Sequence, residues 1–413
     1  MPNQNKHALE SITHARDTSM GINVAYGQKT DTPVGLRSEI LQIPSSSQPS
    51  FGSYCVSDIK QKNIILHDTS LVVNTTALTG LTGGTSPRLS PAYFWWTRIE
   101  AVVNGVILDT YYPTQQFFLN QILNTNSDRI MVNNGAGSYA SATQRALMAA
   151  TAGSNYIINL HTIFNEAHMA LLTDSHSVQL RVYFDVINNI IVSGGATGTG
   201  AVSINFANLV CKTTKLPPDV AQNRLALMNA QPEHLLYHDL RYGIFNINSG
   251  VSSSQIVLSS ITGKVAFLFF TVKNVNALSG DGAFTYNKIS NFSILDSVST
   301  NITSGQPVTD ALSLNYLSQY WSNSSYLSET ATGSNQAGTI FNNGANVYCW
   351  SFSSDPMSAL NSGKLLSSRA FQGAEQLLLT YASSLATNVQ VECYAMCESL
   401  IEQGTMTIKK LSA

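Results

Sequence analysis

Two groups of residues in this 413-residue sequence have spacings that chemistry uses. Glu100 and Asp109 flank Asn104-Gly105, so a hairpin turning at that dipeptide sets two carboxylates opposite each other, the arrangement of an acid/base pair or a cation site. Like charges across a ladder destabilise it, and Arg98 falls on the same face. The expected arrangement is therefore structural, with Arg98 neutralising the pair, since paired carboxylates are diagnostic only in a cleft with shifted pKa values. The second group is Glu233, His234, His238 and Asp239. Histidines four apart share one face of a helix and can hold a metal, but the H-E-x-x-H base is missing, and residues 235–245 read better as a strand. His161, His168 and His176 occupy a loop-rich connection with no acid at fixed spacing, and they are expected to be structural or solvent-facing.

The remaining reactive residues point the same way. Cys55, Cys211, Cys349, Cys393 and Cys397 are odd in number and contain no C-x-x-C pair, so neither a disulfide framework nor a zinc site follows. Cys393 and Cys397 share a strand face with Val389, Val391 and Ala395 and read as reduced core thiols. No G-x-S-x-G elbow, Walker A or dinucleotide fingerprint is present, and Gly194, Gly195, Gly198 and Gly200 form a loop tip, not a phosphate cradle. Tyr93, Phe94, Trp95 and Trp96 offer rings that could stack bases or sugars, but strand alternation sends half of them inward, so packing is expected. No catalytic, cofactor-binding or metal residue is nominated, and no enzyme is expected.

The elements that must position these residues centre on the hairpin. Asn-Gly is the dipeptide best suited to a type I′ turn, which predicts Val103 opposite Val106, Val102 opposite Ile107, Ala101 opposite Leu108 and Glu100 opposite Asp109. Trp95, Thr97, Ile99, Ala101, Val103, Val106 and Leu108 then share the core face. Pro113 starts a short helix whose Phe118, Leu119, Ile122 and Leu123 repeat at three and four.

Charged residues make up 11% of the chain against roughly 25% in typical domains, and net charge is −2. Without a Lys/Arg tract the chain lacks the footprint of a nucleic-acid binder, and its uncharged surface suits packing against copies of itself. The polar start and the absence of any apolar run near about 18 residues predict no secretion signal and no membrane span. The sequons at Asn74, Asn291, Asn301 and Asn323 read as by-products of composition.

Along the chain, residues 1–30 form a polar arm. Strands are expected at 34–43, 53–59, 63–74, in the hairpin, and at 155–160, 178–185 and 202–216. Short helices are expected at 143–150 and, as a connector after Pro217 and Pro218, at 220–228. Eight more strands are expected at 235–245, 255–258, 265–272, 289–295, 347–352, 376–381, 389–396 and 405–410. The run Val265 to Phe270 is apolar on both faces, so each side needs a cover. The halves match in order: residues 153–156 with 344–347, 178–180 with 375–377, and 214–216 with 409–411, at a near-constant offset. The helix 113–123 corresponds to 309–321, each followed by a long Ser/Asn/Gly loop.

Two all-β modules of about eight short strands, each with one helix-bearing excursion, fit paired jelly rolls. In the hairpin 96–109 with its helix, the strand 178–185, the connector after Pro217 and the repeat to Leu411, the chain resembles the double jelly-roll major capsid proteins of the tectivirus and adenovirus lineage. The resemblance implies an all-β fold of two consecutive eight-stranded antiparallel jelly rolls with short helices in the long loops. Its boundaries would be arm 1–30, first roll 31–216, connector 217–230 and second roll 231–413. The implied function is a structural capsid protein, a homotrimer forming six-lobed tiles in an icosahedral virion shell. The implied partners are a separate vertex (penton) protein and, as in lipid-containing members, an internal membrane. The rivals are a β-sandwich adhesin or glycan-binding protein, which predicts a secretion signal, and a carbohydrate-active enzyme, which predicts paired acids in a cleft.

Overall fold

The computed structural model describes residues 37–83, 87–123, 132, 134–137, 142–277, 286–303, 307–309, 347–353 and 368–411. Sixteen strands carry the architecture, and where a strand alternates in sequence, as residues 178–184 do, its burial alternates too. In the first half they are β1 (Arg37–Pro44), β2 (Tyr54–Ile59), β3 (Ile64–Thr75), β4 (Trp96–Val103), β5 (Val106–Tyr111), β6 (Ser154–Leu160), β7 (Val178–Phe184) and β8 (Ile204–Lys215). The second half continues with β9 (Glu233–Ile247), β10 (Ser253–Val257), β11 (Thr262–Asn274), β12 (Asn291–Leu295), β13 (Val308–Thr309), β14 (Val347–Ser351), β15 (Gln376–Thr380) and β16 (Val389–Gln403).

The antiparallel sheets run β1-β8-β3-β6 and β2-β7-β4-β5, then β9-β16-β11-β14 and β10-β15-β12-β13. Adding eight to each label of the first pair gives the second pair, so both halves are eight-stranded jelly rolls of one topology. Three short strands pair with inner strands of these sheets: Ala170–Leu171 with β3, Arg369–Gln372 with β11 and Ile408–Leu411 with β16. The helices are short: α1 (Pro113–Leu123), α2 (Ala142–Ala150), α3 (Ile163–Ala167) and α4 (Pro218–Ala230), the last joining the rolls.

The match of 178–180 with 375–377 falls on equivalent strands, β7 and β15; of the match of 153–156 with 344–347, residues 344–346 lie outside the described residues and Val347 opens β14. The third match does not fall on equivalent strands. Residues 409–411 lie on the edge strand beside β16, whereas 214–216 run off the end of β8. The eighth strand of the second roll is instead β13, whose two residues are too few to show periodicity. Of the expected helix at 309–321, Thr309 belongs to β13 and the rest lies outside the described residues, as does the arm.

The central turn forms as its residues dictate, with φ of 51° at Asn104 and 80° at Gly105. The register departs from expectation two residues later. Leu108 is an extra residue at a bulge, so Ala101 faces Asp109, Glu100 faces Thr110 and Ile99 faces Tyr111. The predicted Glu100–Asp109 opposition is therefore absent. A second bulge at Thr97, between β4 and β7, turns that residue to solvent, and Val106 at the hairpin tip is also exposed. The loop at 194–200 is tied down: Thr82 and Thr197 exchange backbone hydrogen bonds of 2.9 Å, and Gly198, at φ 111°, runs so close to the Gly80 carbonyl that no Cβ fits.

Strand β11 explains its two-faced sequence. Val265, Leu268, Phe270 and Val272 point into the second roll's core, while Ala266, Phe267 and Phe269 join the core cluster built mainly by the first roll. Phe118 of α1 stacks on Phe269 at 4.6 Å between centroids. The first roll thus covers the outer face of the second roll's β9-β16-β11-β14 sheet.

Candidate functional site

The seam between the rolls carries a connected set of buried polar groups. Its spine is a ladder of stacked rings: Tyr112 on Tyr242 at 4.1 Å, Tyr242 on Tyr394 at 4.9 Å, Tyr394 on Phe269 at 5.2 Å, and Phe269 on Phe118. Beside it Lys273 Nζ donates to Thr114 Oγ1 at 2.7 Å and to both Glu392 oxygens at 3.0 Å, and Tyr394 Oη donates to Glu392 Oε2 at 3.1 Å. Buried charges persist only when paired and hydrogen-bonded, and here the ion pair of the second roll takes a further bond from the first.

The sequence candidates are placed as follows. Glu100 is held by Arg98, whose Nε lies 2.8 Å from Oε1, and by Tyr183 Oη at 2.9 Å, with the guanidinium 3.8 Å above the Tyr183 ring. Arg98 therefore neutralises Glu100 but not Asp109. Asp109 instead faces Asp239 of β9 across the seam, and burial first, then the Asp239 charge, push its carboxyl above the usual range, while Lys410 pulls the other way. Lys410 Nζ lies 2.6 Å from Asp239 Oδ1 and Arg241 Nε 2.8 Å from Oδ2. Sequence reading missed this cluster because Asp109 lies far along the chain from its neighbours on β9 and beside β16, and because the bulge at Leu108 decides where Asp109 points.

His238 lies on strand β9, within the strand expected at 235–245, and that strand begins early enough to include His234 as well. His238 is a clamp: its backbone N–H and its Nδ1 lie 2.7 and 2.8 Å from Glu166 Oε2 of α3, joining the rolls. His176 is a second. Its Nδ1 accepts from the Leu172 N–H at 3.2 Å, so Nε2 carries the proton and donates to the Gly404 carbonyl at 2.8 Å; burial holds its pKa down. His161 is pushed down to about 4 by burial, with its Nε2 buried and without a hydrogen-bond partner. His168 ends α3 at φ 45°, its Nδ1 3.0 Å from His67 Nδ1. Among the described residues no group of three or more His, Cys, Asp and Glu is arranged to hold a metal ion.

All four aromatic residues of 93–96 are buried, not half of them, because a 3₁₀ turn at Ala92–Phe94 breaks the alternation before β4 begins. Trp95 Nε1 donates to the Ser90 carbonyl at 2.7 Å. The five cysteines are buried, and burial pushes the Cys55, Cys211 and Cys397 thiols up to about 12 and raises Cys393 as well. The connector α4 is anchored by buried Arg224, bonded through Nε at 3.0 Å and Nη2 at 2.7 Å to the two Glu233 oxygens.

A second surface matters by contrast. The outer face of the first roll's β1-β8-β3-β6 sheet carries Ile40 (76% exposed) and Ile157 (45% exposed), with Val72 and Val210 partly exposed. By strand order it is equivalent to the face of the second roll that the first roll covers. Between its apolar residues sit Gln42, Ser70, Asn159 and Asn208, and an exposed ion pair, Lys212 with Asp68 at 3.6 Å, lies beside Ile40.

No protein-family model matches the sequence, and no curated protein matches it. Solved structures do. PBCV-1 VP54 superposes with a TM-score of 0.65 at 14% identity, over 93% of this chain and 99% of that one. The Faustovirus major capsid protein gives 0.65 at 10% identity over 97% and 98%, and the mavirus major capsid protein 0.51 at 13% over 93% and 92%. Nearly the whole of each chain is matched, on sixteen strands in two rolls of one order: this chain has the double jelly-roll fold of those viral capsid proteins.

Proposed function

We propose that this chain is the major structural protein of an icosahedral virion, acting as a homotrimeric tile of six rolls, with no enzymatic role. The observation that carries the proposal is the inequality of two equivalent sheet faces. Inside one chain the first roll covers the outer face of the second roll's β9-β16-β11-β14 sheet; the same face of the first roll stays open, studded with Ile40, Val72 and Ile157 and carrying the ion pair of Lys212 with Asp68. Repeating the internal contact between chains covers it, and three chains of two rolls close a ring. In this reading residues 31–216 and 231–413 are the two rolls, 217–230 joins them, and 1–30 is an arm that touches neighbouring tiles. A separate vertex protein and an internal membrane are partners that the resemblance to capsid proteins adds.

Electron microscopy and native mass spectrometry test the proposal. Six-lobed trimers are expected, and Ile157→Glu should yield folded monomers with a melting temperature close to that of the parent chain. Wild-type protein that stays monomeric at high concentration, or trimers untouched by Ile157→Glu together with Ile40→Glu, would sink it.

A further inference from the structure

The open face of the first roll carries a pair of histidines at a place that has a counterpart in the face already covered. Strand β3 has one extra residue opposite β8 between Leu66 and Thr69, and β11 has one opposite β16 between Val265 and Phe267. The two bulges are equivalent by strand order, and each adjoins a short paired strand, Ala170–Leu171 in the first roll and Arg369–Gln372 in the second. At the bulge of β11 stands Ala266, fully buried in the cluster built mainly by the first roll. At the bulge of β3 stand His67, half-buried, and Asp68, exposed. Bulges re-aim side chains, and here His67 meets His168, the residue that ends α3.

The contact counts protons. The two imidazoles meet at 4.9 Å between centroids with Nδ1 3.0 Å from Nδ1, a distance that fits one shared proton, so one imidazole donates and the other accepts. His67 Nε2 lies 2.8 Å from Thr214 Oγ1, a hydroxyl that serves as acceptor or donor. One added proton gives the pair a positive charge; a second sets two N–H groups against each other and breaks the contact. The acids on that side are already engaged. Asp68 of β3 pairs with Lys212 of β8 at 3.6 Å and accepts from Asn165 Nδ2 at 3.1 Å, and Glu166 of α3 holds His238 of β9. His161, at the end of β6, is pushed down to about 4 by burial, and Glu39 of β1 and Lys215 of β8 fall on the opposite side of the sheet by alternation. A charge on the pair therefore has no counter-ion of its own, and burying such a charge is costly.

We infer that His67 and His168 form a proton-operated release for the contact between chains: neutral, the pair is buried with the open face as Ala266 is buried in the second roll, and protonated it opposes that burial. The inference rests on the proposed trimer. Separate chains then bind protons more tightly than the trimer does, so acid favours separation. Each proton that assembly excludes weakens the trimer by up to about tenfold per pH unit below the ordinary imidazole value of about 6.5, and with one pair per chain the three together reach about a thousandfold.

Size-exclusion chromatography with light scattering on the full chain tests it in steps from about pH 8 to about pH 5.5, with circular dichroism on each sample to report folding. The expected result is a trimer at the alkaline end and folded monomers at the acid end, reversible on return. A trimer at both ends overturns this inference and leaves the trimer standing; monomers at both ends overturn the trimer and the inference with it; unfolding in place of separation also overturns the inference. The double variant His67→Gln, His168→Asn removes the titrating pair, and Asn accepts the φ of 45° at residue 168. It should flatten the pH dependence, whatever its affinity at the alkaline end. Separation at the same pH as wild type would show that the release lies elsewhere. Should the double variant form no trimer at the alkaline end, His168→Asn alone is read by the same outcomes.

Discussion

Asp109 and His161 bias the stability of the chain in opposite directions with pH. Asp109 keeps its proton to a higher pH in the folded chain than in the unfolded one, chiefly because it is buried and then because Asp239 is near. As pH rises above the usual carboxylate range, the unfolded chain releases a proton that the folded chain still holds, and stability falls. Asp109→Asn cannot titrate, so thermal melts from about pH 5 to 8 should show a flatter decline than wild type and a higher melting temperature at the alkaline end. An unchanged slope would contradict the buried placement. His161 has the opposite sign. Its folded value of about 4 lies below the ordinary 6.5, so as pH falls through that window only the unfolded chain takes up the proton. Stability is lost there by up to about 1.4 kcal/mol per pH unit, and His161→Asn should remove that share of the acid slope. Neither role was legible in sequence. The neighbours of Asp109 lie on β9 and beside β16, and no local pattern announces the bulge that aims it.

Elements were legible where residue type acts locally. The type I′ turn at Asn104-Gly105 needs two positive φ values, and Asn104→Val places a β-branched side chain where it is strained. Calorimetry should show a clearly lower melting temperature; a shift within error would mean that the turn is not what holds the hairpin. Helix α1 was readable from Pro113 and its apolar spacing, and the alternation of residues 178–184 from burial on every second position. What α1 does was not readable, because the partner of Phe118 is Phe269, in the other half of the chain. Phe118→Ala removes a buried ring from the seam and should cost about 3–5 kcal/mol, read as a lower denaturant midpoint. Where the elements failed, length was the cause: β13 has two residues, too few for any periodicity, while the edge strand Ile408–Leu411 alternates well enough to pass for a principal strand.

At the scale of the whole molecule, the duplication was legible because each roll is built in one order, and its closure was not, because the faces that meet carry few distinctive residues. The proposed trimer rests on a face that is mostly apolar and polar, its Lys212 already paired with Asp68 within the chain, so its stability should be nearly independent of ionic strength. Size-exclusion chromatography in about 1 M NaCl should return the same trimer as at low salt; monomers released by salt alone would show that ion pairs hold it. The five buried cysteines have a larger consequence. A shell protein is made where thiols are kept reduced and must endure where oxidants are free, and a tile repeated many times multiplies every reactive sulfur it carries. With all five thiols buried, and with burial raising the Cys55, Cys211 and Cys397 thiols to about 12, the proposed tile would cross from one medium to the other without acquiring a covalent memory of either.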